Sequence, residues 1–260
     1  MPFLLVHHPL YYPLVALLAL TSAAALLTAA LLLLRRRQRA TPRAAGWMIL
    51  LLAAVGGTQL HHLLSAVGAF QTYPRWEFFP LYLSLSIGPL LFFYVKCFLY
   101  PRYHARLTDS KHFLPGLGQL VYFTVSFLLF RSTGTEATGR YFYNPFYGGI
   151  EQGLFIVSLP FYLLFARRYV QVRIRQFRHR PRLPRSLWYL RKLLRITFYA
   201  WMVYAALALG DFLTLHFFTL NLRSLAWYTA LQSLSFAGLT AWISVYGFQI
   251  AFWGGRLVRE

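Results

Sequence analysis

The chain has 260 residues, 58% of them hydrophobic, 19% aromatic and only 12% charged, with a formal net charge of +20. A soluble domain carries about twice that charged fraction, and the apolar residues here form long runs rather than alternating or helical-face patterns, so a water-soluble fold is excluded. The single cysteine, Cys97, excludes an intrachain disulfide and a Cys-based metal site.

A spanning helix needs roughly 20 mostly apolar residues, and seven stretches qualify in chain order. The first runs over about 13–34 and ends in "RRRQR". No basic segment precedes it, and the apolar run continues past "TSAAA", so it reads as a retained anchor rather than a cleaved signal peptide. The second covers about 46–70 and the third about 78–100. After "PRYHARLTDSKH" the fourth covers about 113–130, with Pro115 in its first turn, where a missing N–H costs little. The loop "RSTGTEATGRYFYNPFYGG" reads as an aromatic interfacial belt or as a lid. The fifth helix covers about 150–165. A basic segment from Arg167 to Lys192 follows, broken by Pro181 and Pro184 between two helical extensions. The sixth helix covers about 193–215 and the seventh about 225–253. The expected fold is all-α: one seven-transmembrane-helix bundle occupying 1–260, with no second sizeable domain.

Loop charge sets the orientation. One side collects Arg35, Arg36, Arg37, Arg39 and Arg43, then Arg102, Arg106 and Lys111, the whole of the Arg167–Arg195 set, and Arg256 and Arg259. The other side holds only Arg75, Arg131, Arg140 and Arg223. The positive-inside rule then places the N-terminus outside and the C-terminus in the cytoplasm of a cell inner membrane. It also accounts for the +20 charge without nucleic acid. Arg167, Arg168, Arg173, Arg175 and Arg178 are expected at the cytoplasmic face, in signalling or in contact with anionic lipid at about 1 kcal/mol per basic residue.

"GPLLFFYVK" (Gly88 to Lys96), a short polar link and "HFLP" (His112 to Pro115) form a recognisable pattern, and "AWISVYGFQIAFW" closes the last helix. The layout resembles the membrane-embedded N-terminal half of the AraC-type transcriptional regulators of Bacteroidetes. The resemblance implies a multi-helix sensor module that precedes a cytoplasmic helix-turn-helix domain. Here the sequence stops at Glu260, where that domain would begin. The resemblance therefore implies the sensor module alone, or a stand-alone relative that signals through a partner. Within the motif, Gly88 is expected to let another helix approach, Pro89 to kink its helix, and Lys96 to snorkel to the headgroups.

Ionisable groups in lipid cost roughly 2.5 to 3.5 kcal/mol each on insertion scales and are functional candidates by default. They are His61, His62, Lys96, Glu151 and Asp211. At about 1.5 Å per residue, His62, Ser84, Asp211 and Gln232 fall in one outward layer, with Glu151 at its mouth and Gln119 and Lys96 lying inward. Gln59, His62, Ser84, Glu151, Asp211 and Gln232 are therefore the candidate ligand-binding residues. Adjacent histidines point about 100° apart, so His62 is assigned to the pocket and His61 to packing.

The expected function is a sensory or signalling module that binds an unknown ligand in this outward pocket and signals through its basic face. The alternatives are an intramembrane metal-dependent hydrolase, for which His62, Asp211 and His216 would have to converge, or a scaffold for another membrane protein. No H-x-x-x-H or H-E-x-x-H pair occurs, and the seventh helix has no lysine for a Schiff base, since the only lysines are Lys96, Lys111 and Lys192. No catalytic residue, metal or cofactor is expected. The expected partners are the bilayer, anionic lipid, a small-molecule or lipid ligand, and a protein partner or second copy of the chain; direct nucleic-acid binding is not among them.

Overall fold

A computed structural model describes residues 11–35, 42–129, 145–176, 185–218, 222 and 225–257, and among them every regular element is helical. The α-helices are α1 (Tyr11–Leu34), α2 (Pro42–Ala66), the single turn α3 (Ala69–Thr72), α4 (Ser84–Leu99), α5 (Leu114–Leu129), α6 (Pro145–Gln176), α7 (Arg185–Phe218) and α8 (Ala226–Leu257). Two 3-10 segments, Pro74–Phe78 and Leu107–Phe113, lead into α4 and α5. Prolines open α2 and α6 at the position where their missing N–H is no loss.

Five helical stretches among the described residues are long and apolar enough to cross a membrane: Tyr11–Leu34, Pro42–Ala66, Leu107–Leu129, Glu151–Gln176 and Ser186–Thr214. This is a membrane protein. Its outward faces carry Leu20, Leu27, Leu128 and Val157, all more than 60% exposed. Such a surface is costly in water and matched to hydrocarbon. Beside these five stand α8, an apolar helix that also carries Ser, Thr, Gln and Gly, and α4, which is apolar but only 16 residues long.

The helices close into a ring in the order α1, α2, α4, α6, α7, α8 and back to α1, with α8 also touching α2 and α5 lying against α4. The short α4 is the most enclosed element. All of its residues except Ser86, Lys96 and Phe98 are buried. Gly88 permits this, as expected, because a Cβ there would come within 2.8 Å of the Tyr162 ring and 3.4 Å of the Leu159 Cα on α6.

Three predicted boundaries are corrected. The third helix starts at Ser84 rather than Phe78, because Pro74–Phe78 forms a 3-10 turn and Pro80 follows. The fifth runs to Gln176 rather than to about 165, since Arg167 to Gln176 continue the helix beyond its apolar part. The sixth starts at Arg185 rather than at about 193. The basic segment thus supplies helical extensions on either side of residues 177–184, which lie outside the described residues, as does the 130–144 loop read as a belt or lid.

Candidate functional site: a polar junction of α4, α5 and α6

Glu151 sits six residues into α6 and is 9% exposed. It is inside the bundle and not at an outer mouth. The Ser84 hydroxyl donates to its Oε1 at 2.9 Å, and the Gln119 amide donates to the same oxygen. Gln119 Nε2 also lies 3.1 Å from Ser84 Oγ. The other end of the Gln119 amide, Oε1, accepts the Leu85 N–H at 3.1 Å. Gln119 and Ser84 are themselves buried. One glutamine therefore ties three helices together. It also satisfies a donor that the first turn of α4 leaves open, because no side chain of α4 itself caps that end. A second donor is met from α2, where Thr58 Oγ1 accepts the Leu83 N–H at 3.1 Å.

The sequence reading placed Gln119 inward and Ser84 outward. The structure joins them, and the reason is the chain between α4 and α5. Leu107–Phe113 folds back along α4, so that the Phe113 ring stacks on Phe93 at 5.4 Å, about two turns before α4 ends. Helix α5 therefore starts well inside the bundle, and five residues later Gln119 is level with the first turn of α4. Counting depth from the membrane surface assumes that each helix starts there, and this one does not.

That fold-back explains the sequence motif. Phe93, Trp47 and Phe113 form a stack with ring centroids 5.2 to 5.6 Å apart. His112 Nδ1 lies 3.1 Å from the Tyr162 hydroxyl of α6. Lys96 places its ammonium 3.9 Å from the Tyr103 ring centroid, just beyond the end of α4, and 5.7 Å from those of Phe92 and Phe93. The Tyr103 hydroxyl donates to Asp109, which also accepts the Arg106 N–H at 2.8 Å. Burial first, and then the bond to Asp109, push the Tyr103 phenol up from its ordinary range. "GPLLFFYVK…HFLP" is the clamp that holds the α4–α5 connection against the bundle.

The α2 candidates face elsewhere. His61 Nε2 lies 3.0 Å from the Glu77 carbonyl, and its ring sits among Phe70, Tyr82 and Phe123. His62 turns toward α8, edge-on to Phe236 at 5.3 Å and to Tyr82 at 5.7 Å. Gln59 is fully buried one turn before His62, and both ends of its amide lack a hydrogen-bond partner among the described residues. Asp211 is buried on α7 and Gln232 half-buried on α8, with the carbonyl of each accepting a hydroxyl from its own helix, Thr214 at 3.1 Å and Ser235 at 2.7 Å. Of the six candidates, Ser84 and Glu151 are hydrogen-bonded to each other, and Gln119, set apart by the depth count, completes their site.

Among the described residues no three His, Cys, Asp or Glu side chains gather as metal ligands; the His216 side chain lies outside them. Of the predicted basic residues, Arg167, Arg168, Arg173 and Arg175 line the last turns of α6, and Arg178 lies outside the described residues. The chain was compared with protein-family models, with curated proteins and with solved structures, and it matches none of them.

Proposed function

We propose that the chain is a sensory module of the cell inner membrane. Helices α1, α2 and α4 to α8 would all cross the bilayer, with the N-terminus outside and the basic loops in the cytoplasm. The input is the Glu151–Gln119–Ser84 junction and the output is the basic end of α6. One observation carries this reading. A single helix, Pro145–Gln176, which stays helical across its interior Pro160, bears the buried carboxylate near one end and Arg167, Arg168, Arg173 and Arg175 near the other. From Glu151 to Arg175 the rise is about 36 Å, longer than a bilayer core is thick. A small molecule with a cationic or N–H donor group that takes Glu151 from Gln119 would loosen the tie between α5 and α6 and release the cap on α4. Because α6 is continuous, its far end would move with it. The AraC-type layout supports the same assignment, with the signal passing to a protein partner or a second copy of the chain.

The test is a thermal-shift ligand screen on purified protein, with Glu151→Gln as control. It is paired with distances between spin labels at Val172→Cys and Trp188→Cys in a Cys97→Ala background. Hits should stabilise the parent, fail on Glu151→Gln, and change the α6–α7 distance. Hits that bind both proteins equally, or leave the distance fixed, overturn the proposal.

A further inference from the structure

Between the basic ends of α6 and α7 lies a cleft of about 560 Å3 with an amphipathic wall. Arg167, Gln171 and Arg175 line it from α6, and Arg191 and Arg195 from α7. Each set is spaced four residues apart, so each forms one stripe on its helix. Beneath them the cleft is lined by apolar residues, Leu163 and Leu164 from α6 and Leu194 and Phe198 from α7. All four arginines are exposed, and among the described residues no acidic side chain lines the cleft. The sequence reinforces this: no Asp or Glu occurs between Glu151 and Asp211, so neither helix brings a carboxylate to these arginines.

We infer that this cleft is a binding site for an anionic phospholipid carrying two phosphate groups, with its headgroup on Arg167, Arg175, Arg191 and Arg195 and an acyl chain along Leu163, Leu164 and Phe198. Charge complementarity names the occupant. Four cations facing one cleft without a counter-charge attract an anion, and guanidinium forks match phosphate oxygens in pairs. Arg167 and Arg175 stand about 12 Å apart along α6, which leaves room for two phosphates side by side. The apolar floor separates a lipid from a soluble phosphate, because inorganic anions gain nothing from Leu163 or Phe198. The position also fits, since basic pockets between helices at the cytoplasmic surface take multiply charged headgroups. General attraction to a negative surface needs only exposed charge. This site needs the arginines of two helices on one cleft, and Arg168, equally exposed on α6, does not line it. The cleft would hold its lipid whether or not Glu151 is an input.

The experiment titrates diphosphatidylglycerol into the full chain in detergent and reads bound lipid by native mass spectrometry. Parallel arms use phosphatidylcholine and inorganic pyrophosphate. The parent should retain diphosphatidylglycerol, and Arg191→Gln/Arg195→Gln should weaken it about tenfold. The charge-matched control Arg102→Gln/Arg168→Gln should stay within about twofold of the parent, its charges lying off the cleft. Arg191→Lys/Arg195→Lys keeps the charge and the helix but loses the fork, and should fall between the two. Equal loss in the cleft and control variants means surface electrostatics alone and overturns the site. Pyrophosphate that competes as well as the lipid overturns the lipid assignment in favour of a soluble phosphate. Phosphatidylcholine retained as well as diphosphatidylglycerol overturns the role of the arginines.

Discussion

At the scale of single residues, the molecule holds buried polar groups that are tied down, such as Gln119, and others that are not, such as Gln59. Gln119 serves Glu151, Ser84 and the Leu85 N–H at once. Gln119→Leu takes one of two donors from a buried carboxylate, which keeps the Ser84 hydroxyl, and removes the acceptor of a helix-end N–H, and should cost about 1–3 kcal/mol for the donor left unsatisfied. Glu151→Gln keeps a hydrogen-bonding side chain in place and should cost less. Thermal denaturation of the two variants in one detergent checks the order, and a larger loss for Glu151→Gln would show the charge itself to be stabilising. Gln59 behaves in the opposite way. Its amide is fully buried with no partner among the described residues, so Gln59→Leu should be neutral or stabilising, because it removes a desolvated polar group and leaves its volume filled. A clear loss of stability would reveal a bound water or ligand on that amide. The histidine pair shows what a sequence can say at this scale. Adjacent positions on a helix must diverge, and His61 and His62 do, toward the Glu77 turn and toward α8 respectively. Which neighbour each one meets depends on the rotation of α2, which no local pattern encodes.

At the scale of elements, α4 departs most from what its sequence announces. Its apolar run is long enough to span, yet only Ser84–Leu99 is helical. A 3-10 turn and Pro80 precede it, and the N–H groups of Leu83 and Leu85 are met by Thr58 and Gln119 of neighbouring helices. A helix whose start is capped by other elements cannot be delimited from its own residues. Helix α2 shows the same dependence from the other side. A Cβ at Gly57 would stand 2.8 Å from the Leu81 carbonyl, a backbone atom that cannot swing away. Gly57→Ala should therefore destabilise by about 1–3 kcal/mol despite the better helix propensity of alanine. The melting temperature against that of Gly118→Ala, where a Cβ meets nothing within 4 Å, isolates the effect. Lys96 belongs to this scale too. It clamps the α4–α5 connection through Tyr103, so Lys96→Met should loosen that connection, seen as faster amide exchange over 100–113, while α1 and α8 keep their protection.

At the scale of the whole molecule, the ring order of the helices and the basic extensions of α6 and α7 define two unlike ends. The proposed orientation predicts that, in a Cys97→Ala background, Arg102→Cys and Arg168→Cys react with an impermeant maleimide only after the cytoplasmic side is opened, and Tyr73→Cys reacts in intact cells. Reaction of all three from one side would refute it. Long apolar runs and clustered arginines are enough to establish membrane helices and two unlike ends, because the bilayer acts on every residue through the same solvent physics: backbone groups must bond within the helix, and charge must stay in water. Pro115 in the first turn of α5 is legible for the same local reason. The meeting of Glu151 with Gln119 and Ser84, the enclosure of α4 and the cleft between α6 and α7 are different in kind. They follow from axial offsets and rotations between helices far apart in sequence. The fold-back of Leu107–Phe113 sets one of those offsets, and packing in three dimensions, which no single helix carries in its own residues, sets the rest.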